Sequence, residues 1–187
     1  MPGSVKGLPM RLEDLQLDVP TLGDVPALHA IYGDPRVWTH LPSGRHRDIR
    51  QTREMVRGWI DAWARDGLSY WIVRAASSQE LLGHVGCSAR RGAFWNLGYR
   101  IAFEAHGRGI ATLVGRRAVD EAHRTDSALP VVAYLLEHNR ASARVAEKLG
   151  LTLQHRGPDS GNPDPHAVRL VYADRPLTAV QRDAVMR

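Results

Sequence analysis

Apolar positions along this chain follow two rhythms, a spacing of two and a spacing of three to four, and the rhythms succeed one another from end to end. Residues 12–19 partly alternate and stop at Pro20, which predicts a first strand. Asp24 is placed to cap the helix that follows. Pro26 falls in that helix's first turn, where its missing N–H costs nothing, and Leu28, Ile31 and Tyr32 form an apolar face. Over residues 48–66, Met55, Val56, Trp59, Ile60 and Trp63 recur on one side of a second helix, which Gly67 ends. Tyr70-Trp71-Ile72-Val73 and the apolar run 81–88 flank the polar turn Ser77-Ser78-Gln79-Glu80 and read as a hairpin, followed by a strand over 95–103.

The second half alternates more strictly between the two rhythms. A helix over 108–123 aligns Ile110, Leu113, Val114, Ala118 and Ala122, and Pro130 opens a strand over 131–136 whose unbroken apolar character suits burial on both faces. After Asn139, Ala141, Val145 and Leu149 recur every fourth residue until Gly150, which is suited to a left-handed helix stop. Residues 151–156 and 167–172 read as closing strands, and the tail from Asp174 carries weak signals. The fold class is α/β, as one domain over residues 1–187 with its core at about 12–173.

Composition narrows the possibilities. Hydrophobic residues make up 43% and charged residues 24% of 187, close to an ordinary soluble domain. Cys87 is the only cysteine, so an internal disulfide and multi-cysteine zinc patterns are excluded, and nine histidines without paired spacing predict no metal site. No secretory core or membrane-length apolar run is present, so the expectation is a cytoplasmic protein without a membrane partner. The net charge of +5 comes from arginines scattered among acids rather than from a basic stripe, which gives no support to nucleic-acid binding.

Candidate chemistry concentrates at Glu104-Ala105-His106-Gly107-Arg108-Gly109-Ile110-Ala111-Thr112, between a predicted strand and a predicted helix. A helix's first turn has unpaired N–H groups, and glycines at 107 and 109 would let an anion approach them; purely steric needs of the turn would also select glycine. The segment lacks G-x-x-x-x-G-K and lacks G-x-G-x-x-G with its distant acid, so the standard nucleotide loops drop out. It resembles the GNAT superfamily of N-acetyltransferases, and within it the RimJ/RimL-type ribosomal-protein branch. His106-Gly107-Arg108-Gly109-Ile110-Ala111 fits the family signature, with His106 where Gln or Arg is usual, and Leu97-Gly98-Tyr99-Arg100-Ile101 resembles the family's fourth strand. The run from Asn139 to Leu151 is similar to the branch's N-x-x-S-x-x-x-x-E-K-x-G helix.

The resemblance implies a mixed, mostly antiparallel sheet of about six or seven strands with about four flanking helices, and acetyl-CoA wedged between splayed fourth and fifth strands. Main-chain groups of Ile101, Ala102 and Phe103 would meet the pantetheine arm, and those of Arg108, Gly109, Ile110 and Ala111 the pyrophosphate, with His106, Gly107 and Asn139 beside them. The acceptor would be an amine, either a peptide N-terminus or a small molecule, and a homodimer is within the family's range. Amine acylation needs a base for the amine, a donor to the thioester carbonyl and a proton for the departing sulfur. The amide of Ala102 or Phe103 is a candidate carbonyl donor. The tyrosine that many members place seven residues after the asparagine is Ala146 here, leaving Ser142, also a natural capping residue, for the sulfur. Glu137, His138 and His84 are the candidate bases, although no family motif fixes a role for any of them and a solvent-exposed side chain is the preferred account of each. Trp38, in a loop, is assigned to the substrate pocket, whereas Trp59 and Trp63 sit one turn apart and suit core packing. A non-catalytic acyl-CoA-binding module and an aminoglycoside acetyltransferase are the alternative readings.

Overall fold

The computed structural model describes residues 8–186, and its centre is a seven-stranded sheet. The strands are β1 (Leu15–Asp18), β2 (Tyr70–Ala75), β3 (Leu81–Arg90), β4 (Phe94–Ile101), β5 (Val131–Leu136), β6 (Thr152–Pro158) and β7 (Val168–Ala173). They lie in the order β1-β2-β3-β4-β5-β7-β6, and every neighbouring pair is antiparallel except β4 with β5. Five α-helices accompany them: α1 (Val25–Tyr32), α2 (Ile49–Asp66), α3 (Ile110–Thr125), α4 (Arg140–Lys148) and α5 (Ala179–Met186). The fifth, in the tail where the sequence signal was weak, packs Val185 and neighbouring Leu177 against Phe94, Val132, Val171 and Ala173.

Local chemistry explains the element boundaries. The Asp48 carboxylate accepts the Arg50 amide at 2.8 Å while Gln51 Oε1 accepts the Asp48 amide at 3.1 Å, so both ends of a capping box start α2. Gly67, at φ 71°, closes the same helix. Asp24 behaves otherwise than predicted. Its carboxylate takes the amide and hydroxyl of Thr21 at 2.7 and 2.9 Å and pairs with Arg74, so it fastens the turn before α1 to β2 instead of capping α1. The first strand is shorter than expected because residues Leu12–Asp14 form a 3-10 turn, closed by the Arg11 amide on the Asp14 carboxylate at 2.7 Å.

Alternation along the strands gives the sheet two differently dressed faces. On one, α1 and α2 bury Leu28, Val56 and Trp59 against Tyr70 and Ile72. On the other, α3 and α4 bury Val114, Ala118 and Ala146 against Val85, Leu97 and Val131. Full burial of side chains such as Leu28, Ile72 and Val131 contributes about 1.5–3 kcal/mol each. In α4 the fully buried residues are Ala143 and Ala146; of the row at four-residue spacing, Leu149 packs against the core while Ala141 and Val145 turn to open space beside β5. The α4 stop is as predicted: Gly150, at φ 82°, donates to Glu147 and Leu151 to Ala146, at 3.0 and 3.1 Å. No helix among the described residues is long and apolar enough to cross a membrane.

Candidate active site

Parallel pairing of β4 with β5 is confined to Trp95 with Val131 and Asn96 with Val132. Beyond it the strands part, and the gap opens into a cleft of about 980 Å³ walled by both strand ends, the start of α3, one side of α4 and residues 36, 37 and 39–41. The Trp95 amide reaches across to the Pro130 carbonyl at 2.9 Å, whereas the Ala102 amide turns the other way, to the Leu82 carbonyl of β3 at 2.8 Å. Successive amides of a strand point to opposite edges, so beyond the paired stretch those of Tyr99 and Ile101 face the gap. Ile101 and Phe103 line the cleft as expected of pantetheine contacts, but Ala102 does not. Its amide is consumed within the sheet, which corrects its assignment as a carbonyl donor.

At the far end of the cleft, Gly107 and Gly109 adopt φ of 78° and 81°, where an L-side chain costs about 1–2 kcal/mol. These turns delay α3 to Ile110, two residues beyond the predicted start. Gly109 occupies the N-cap position, and no side chain caps the helix. First-turn amides have no intrahelical acceptor, so those of Ile110 and Ala111 open toward the cleft their residues line. A Cβ added to Gly109 would meet no atom within 4 Å. That open hollow over a helix N-terminus fits a phosphate anion. Arg108 stands outside the lining; its carbonyl accepts the Met10 amide at 3.1 Å and its Nε is buried without a partner. His106 lines the cleft yet spends Nε2 on the Ile101 carbonyl at 2.9 Å, with its ring 5.4 Å from that of Phe103, so it braces the turn.

On the α3–α4 face, Asn139 Oδ1 accepts the Ser142 amide at 3.1 Å as an N-cap, and both residues line the cleft. The Ser142 hydroxyl lies 2.6 Å from the hydroxyl of Tyr99, whose ring rises from β4. Burial pushes the Tyr99 phenol up to about 12, against the opposing effect of its bond to Ser142, so it stays protonated at neutral pH. Ala146, in the place of the absent tyrosine, is fully buried. A tyrosine therefore does reach this part of the cleft, from a strand rather than from the helix.

The opposite face carries the acceptor side. His138 follows β5, lines the cleft and donates Nε2–H to the His40 carbonyl at 2.8 Å; in the neutral ring this leaves the Nδ1 lone pair free. Glu137, one residue earlier, is a correction. Its carboxylate is held by Arg156 at 2.6 Å, well below the usual carboxylate range because of that hydrogen bond, and it does not line the cleft. His84 lies beneath the site, with Nε2 2.7 Å from the Tyr32 hydroxyl, and burial first and Arg100 second hold it down to about 3. Trp38 also changes role. It is buried in the turn Pro35–Trp38, donates to the Tyr32 carbonyl at 2.7 Å and lies under the Arg100 guanidinium at 3.6 Å, so it supports the wall without lining it.

A family model described as an acetyltransferase (GNAT) domain matches residues 14–152. The chain belongs to the GNAT acetyltransferase family. The uncharacterized protein YkkB of Bacillus subtilis (strain 168) is 32% identical to it over 125 residues, 65% of this chain and 71% of that protein. Among solved structures, an acetyltransferase from Agrobacterium tumefaciens is 28% identical with a TM-score of 0.70, covering 89% of this chain and 94% of that one. RimL, a ribosomal-protein α-N-acetyltransferase solved in complex with coenzyme A, is 23% identical with a TM-score of 0.72 over 88% of this chain and 94% of its own, a likeness of fold.

Within this GNAT chain, three cleft residues escaped the sequence reading as site residues: Tyr99, Arg100 and His40. Tyr99 and Arg100 are neighbours on β4 whose side chains leave on opposite faces. A charged residue inside a strand whose other members are uncharged was the available signal. His40 carried none; burial, then Arg100 and His138, hold its ring down to about 4, so it is neutral in the site.

Proposed function

We propose that this protein transfers the acetyl group of acetyl-CoA to a primary amine by direct attack on the thioester. The observation that carries the reading is the uncapped, glycine-hinged start of α3 at one end of a cleft between diverging parallel strands. Acetyl-CoA supplies the activated acyl carbon as a thioester. The amides of Gly109, Ile110 and Ala111 hold the pyrophosphate, with Gly107 giving it room and His106 bracing the turn. The open edge of β4 at Tyr99 and Ile101 meets the pantetheine amides, and one of these two N–H groups faces the developing carbonyl charge. Asn139 fixes the start of α4 and thereby the position of Ser142.

His138 Nδ1 takes the proton of the amine, and the Ser142 hydroxyl donates to the departing sulfur while Tyr99 O–H donates to Ser142 Oγ. A thiol has pKa about 8.5, far below a serine hydroxyl, so this pair stabilises the thiolate by hydrogen bonding rather than by complete proton transfer. Hydrogen bonds to a charged group contribute about 1.5–3 kcal/mol. Ser142→Ala and Tyr99→Phe are therefore each expected to lower kcat about tenfold with CoA affinity retained, and the double variant should be little worse than the worse single one. Fully additive losses would separate the two hydroxyls.

The aminoglycoside reading finds little support, since among the described residues the one carboxylate lining the cleft, Asp159, is already paired with Arg169. Mixing the protein with acetyl-CoA, a panel of amines and a thiol reagent tests the rest. Amine-dependent thiol release is the expected result; tight CoA binding with no release for any amine would leave a binding module.

A further inference from the structure

The splayed strands divide the cleft between the two faces of the sheet, and the two faces hold opposite kinds of chemistry. Tyr99 points to the α3–α4 face and reaches Ser142; Arg100, its neighbour, points to the α1–α2 face and reaches Val37, His40 and Trp38. Arg100 lines the cleft half-buried. Its Nη1 donates to the Val37 carbonyl at 2.8 Å and lies 3.4 Å from His40 Nε2, its plane rests on Trp38, and its Nε is buried without a partner.

What Arg100 lacks is a counter-charge. The other arginines on this side of the cleft are paired, Arg36 with Asp34 and Glu104, and Arg169 with Asp159. No ion pair among the described residues includes Arg100; its neighbours are the Val37 carbonyl, a neutral imidazole, the protonated Tyr32 hydroxyl and aromatic faces, none of them an anion. A cation withdrawn from water without an opposite charge is costly, and such groups are ordinarily paired. The CoA phosphates do not supply the partner, because the helix start assigned to them lies on the other face, with α3. The missing anion belongs to the acceptor.

We infer that the acceptor is an amine that also carries a carboxylate a few bonds away, an amino acid or the end of a short peptide, with the carboxylate held by Arg100 and the amine presented to His138. A planar guanidinium fork matches a carboxylate, and on the α1–α2 face Arg100 is the cleft arginine left uncompensated, since Arg140 and Arg144 belong to α4 on the other face. The spacing follows from His40, whose ring lies against Arg100 and whose carbonyl receives His138, so the anion site and the base are separated by one residue. Polyamines and aminosugars place a second cation where this pocket already has one.

The inference rests on the acetyl-transfer reading, and the experiment separates the two. Turnover is measured for glycine, β-alanine and a dipeptide, for the corresponding amides, and for spermidine; in parallel, N-acetylglycine and N-acetylglycinamide are titrated calorimetrically into CoA-loaded protein. Acids should exceed their amides by at least about tenfold in kcat/KM, N-acetylglycine should bind where its amide does not, and Arg100→Gln should erase both preferences. Amidation lowers the pKa of the neighbouring amine and so favours the amide chemically, which makes a preference for the acid diagnostic. Arg100→Lys, which keeps the charge, should retain part of the preference, and CoA affinity of both variants checks their fold. Turnover with equal rates for acids and amides, or a preference that survives Arg100→Gln, overturns the carboxylate site while acetyl transfer stands. Absence of turnover with Arg100-dependent N-acetylglycine binding does the reverse, and absence of both removes the two together.

Discussion

Gly109→Glu is expected to reduce CoA affinity by about a thousandfold or more while the protein still folds. At an effective dielectric of about 20, one like-charge pair about 4 Å apart costs ~4 kcal/mol, and a pyrophosphate at the start of α3 presents more than one charge. The substituted carboxylate would also compete for the amides of Ile110 and Ala111, since an acid is itself favoured at a helix N-terminus by about 0.3–1 kcal/mol. Folding survives because the added side chain meets nothing within 4 Å of its Cβ, leaving only the left-handed backbone at φ 81° as a cost. Gly109→Ala isolates that cost and should weaken CoA binding far less. Calorimetric titration with CoA decides: an affinity unchanged in the glutamate variant would place the pyrophosphate elsewhere and take the acetyl-transfer reading with it.

How much of this site could be read from the chain depended on how far apart its parts lie in sequence. The α2 start at about residue 48, the stop at Gly67, the left-handed stop at Gly150 and the glycine turn before α3 are written within a few residues, and each stands where the pattern put it or within two positions. Asn139 as an N-cap was equally local. The Tyr99–Ser142 contact spans 43 residues and the Arg100–Val37 contact 63, and both depend on strand register and on the point where β4 leaves β5. Periodicity does not carry that information. The apolar row of α4 is divided for a related reason, with Leu149 on the core and Ala141 and Val145 on the cleft: a cleft wall and a core-facing stripe have the same spacing, and only the partner surface distinguishes them. Glu137 and His138 were indistinguishable as end-of-strand residues until Arg156, 19 positions later on β6, claimed the first of them.

His138→Ala should then cost more than loss of either hydroxyl near the sulfur, and the size of the loss should depend on the acceptor. An amine with pKa about 10.4 is neutral in only about one molecule in 2,500 at pH 7, whereas an α-amine of pKa about 7.7–8.0 is neutral in about one in ten. The base therefore matters most for the more basic amine, and general-base contributions of about 100-fold or more fit such a case. His138 is suited to this because the Nε2–H bond to the His40 carbonyl at 2.8 Å fixes the neutral tautomer with Nδ1 unprotonated. In the alanine variant kcat/KM should be about 100-fold lower at pH 7 and recover as pH approaches the pKa of the amine, when free base becomes available without help. The deficit should be smaller for an α-amine than for a lysine-like one, and added imidazole should restore part of it. Parallel pH profiles for the two proteins, with a constant ratio from pH 6 to pH 10, would assign His138 a positioning role through His40 and leave proton removal to water.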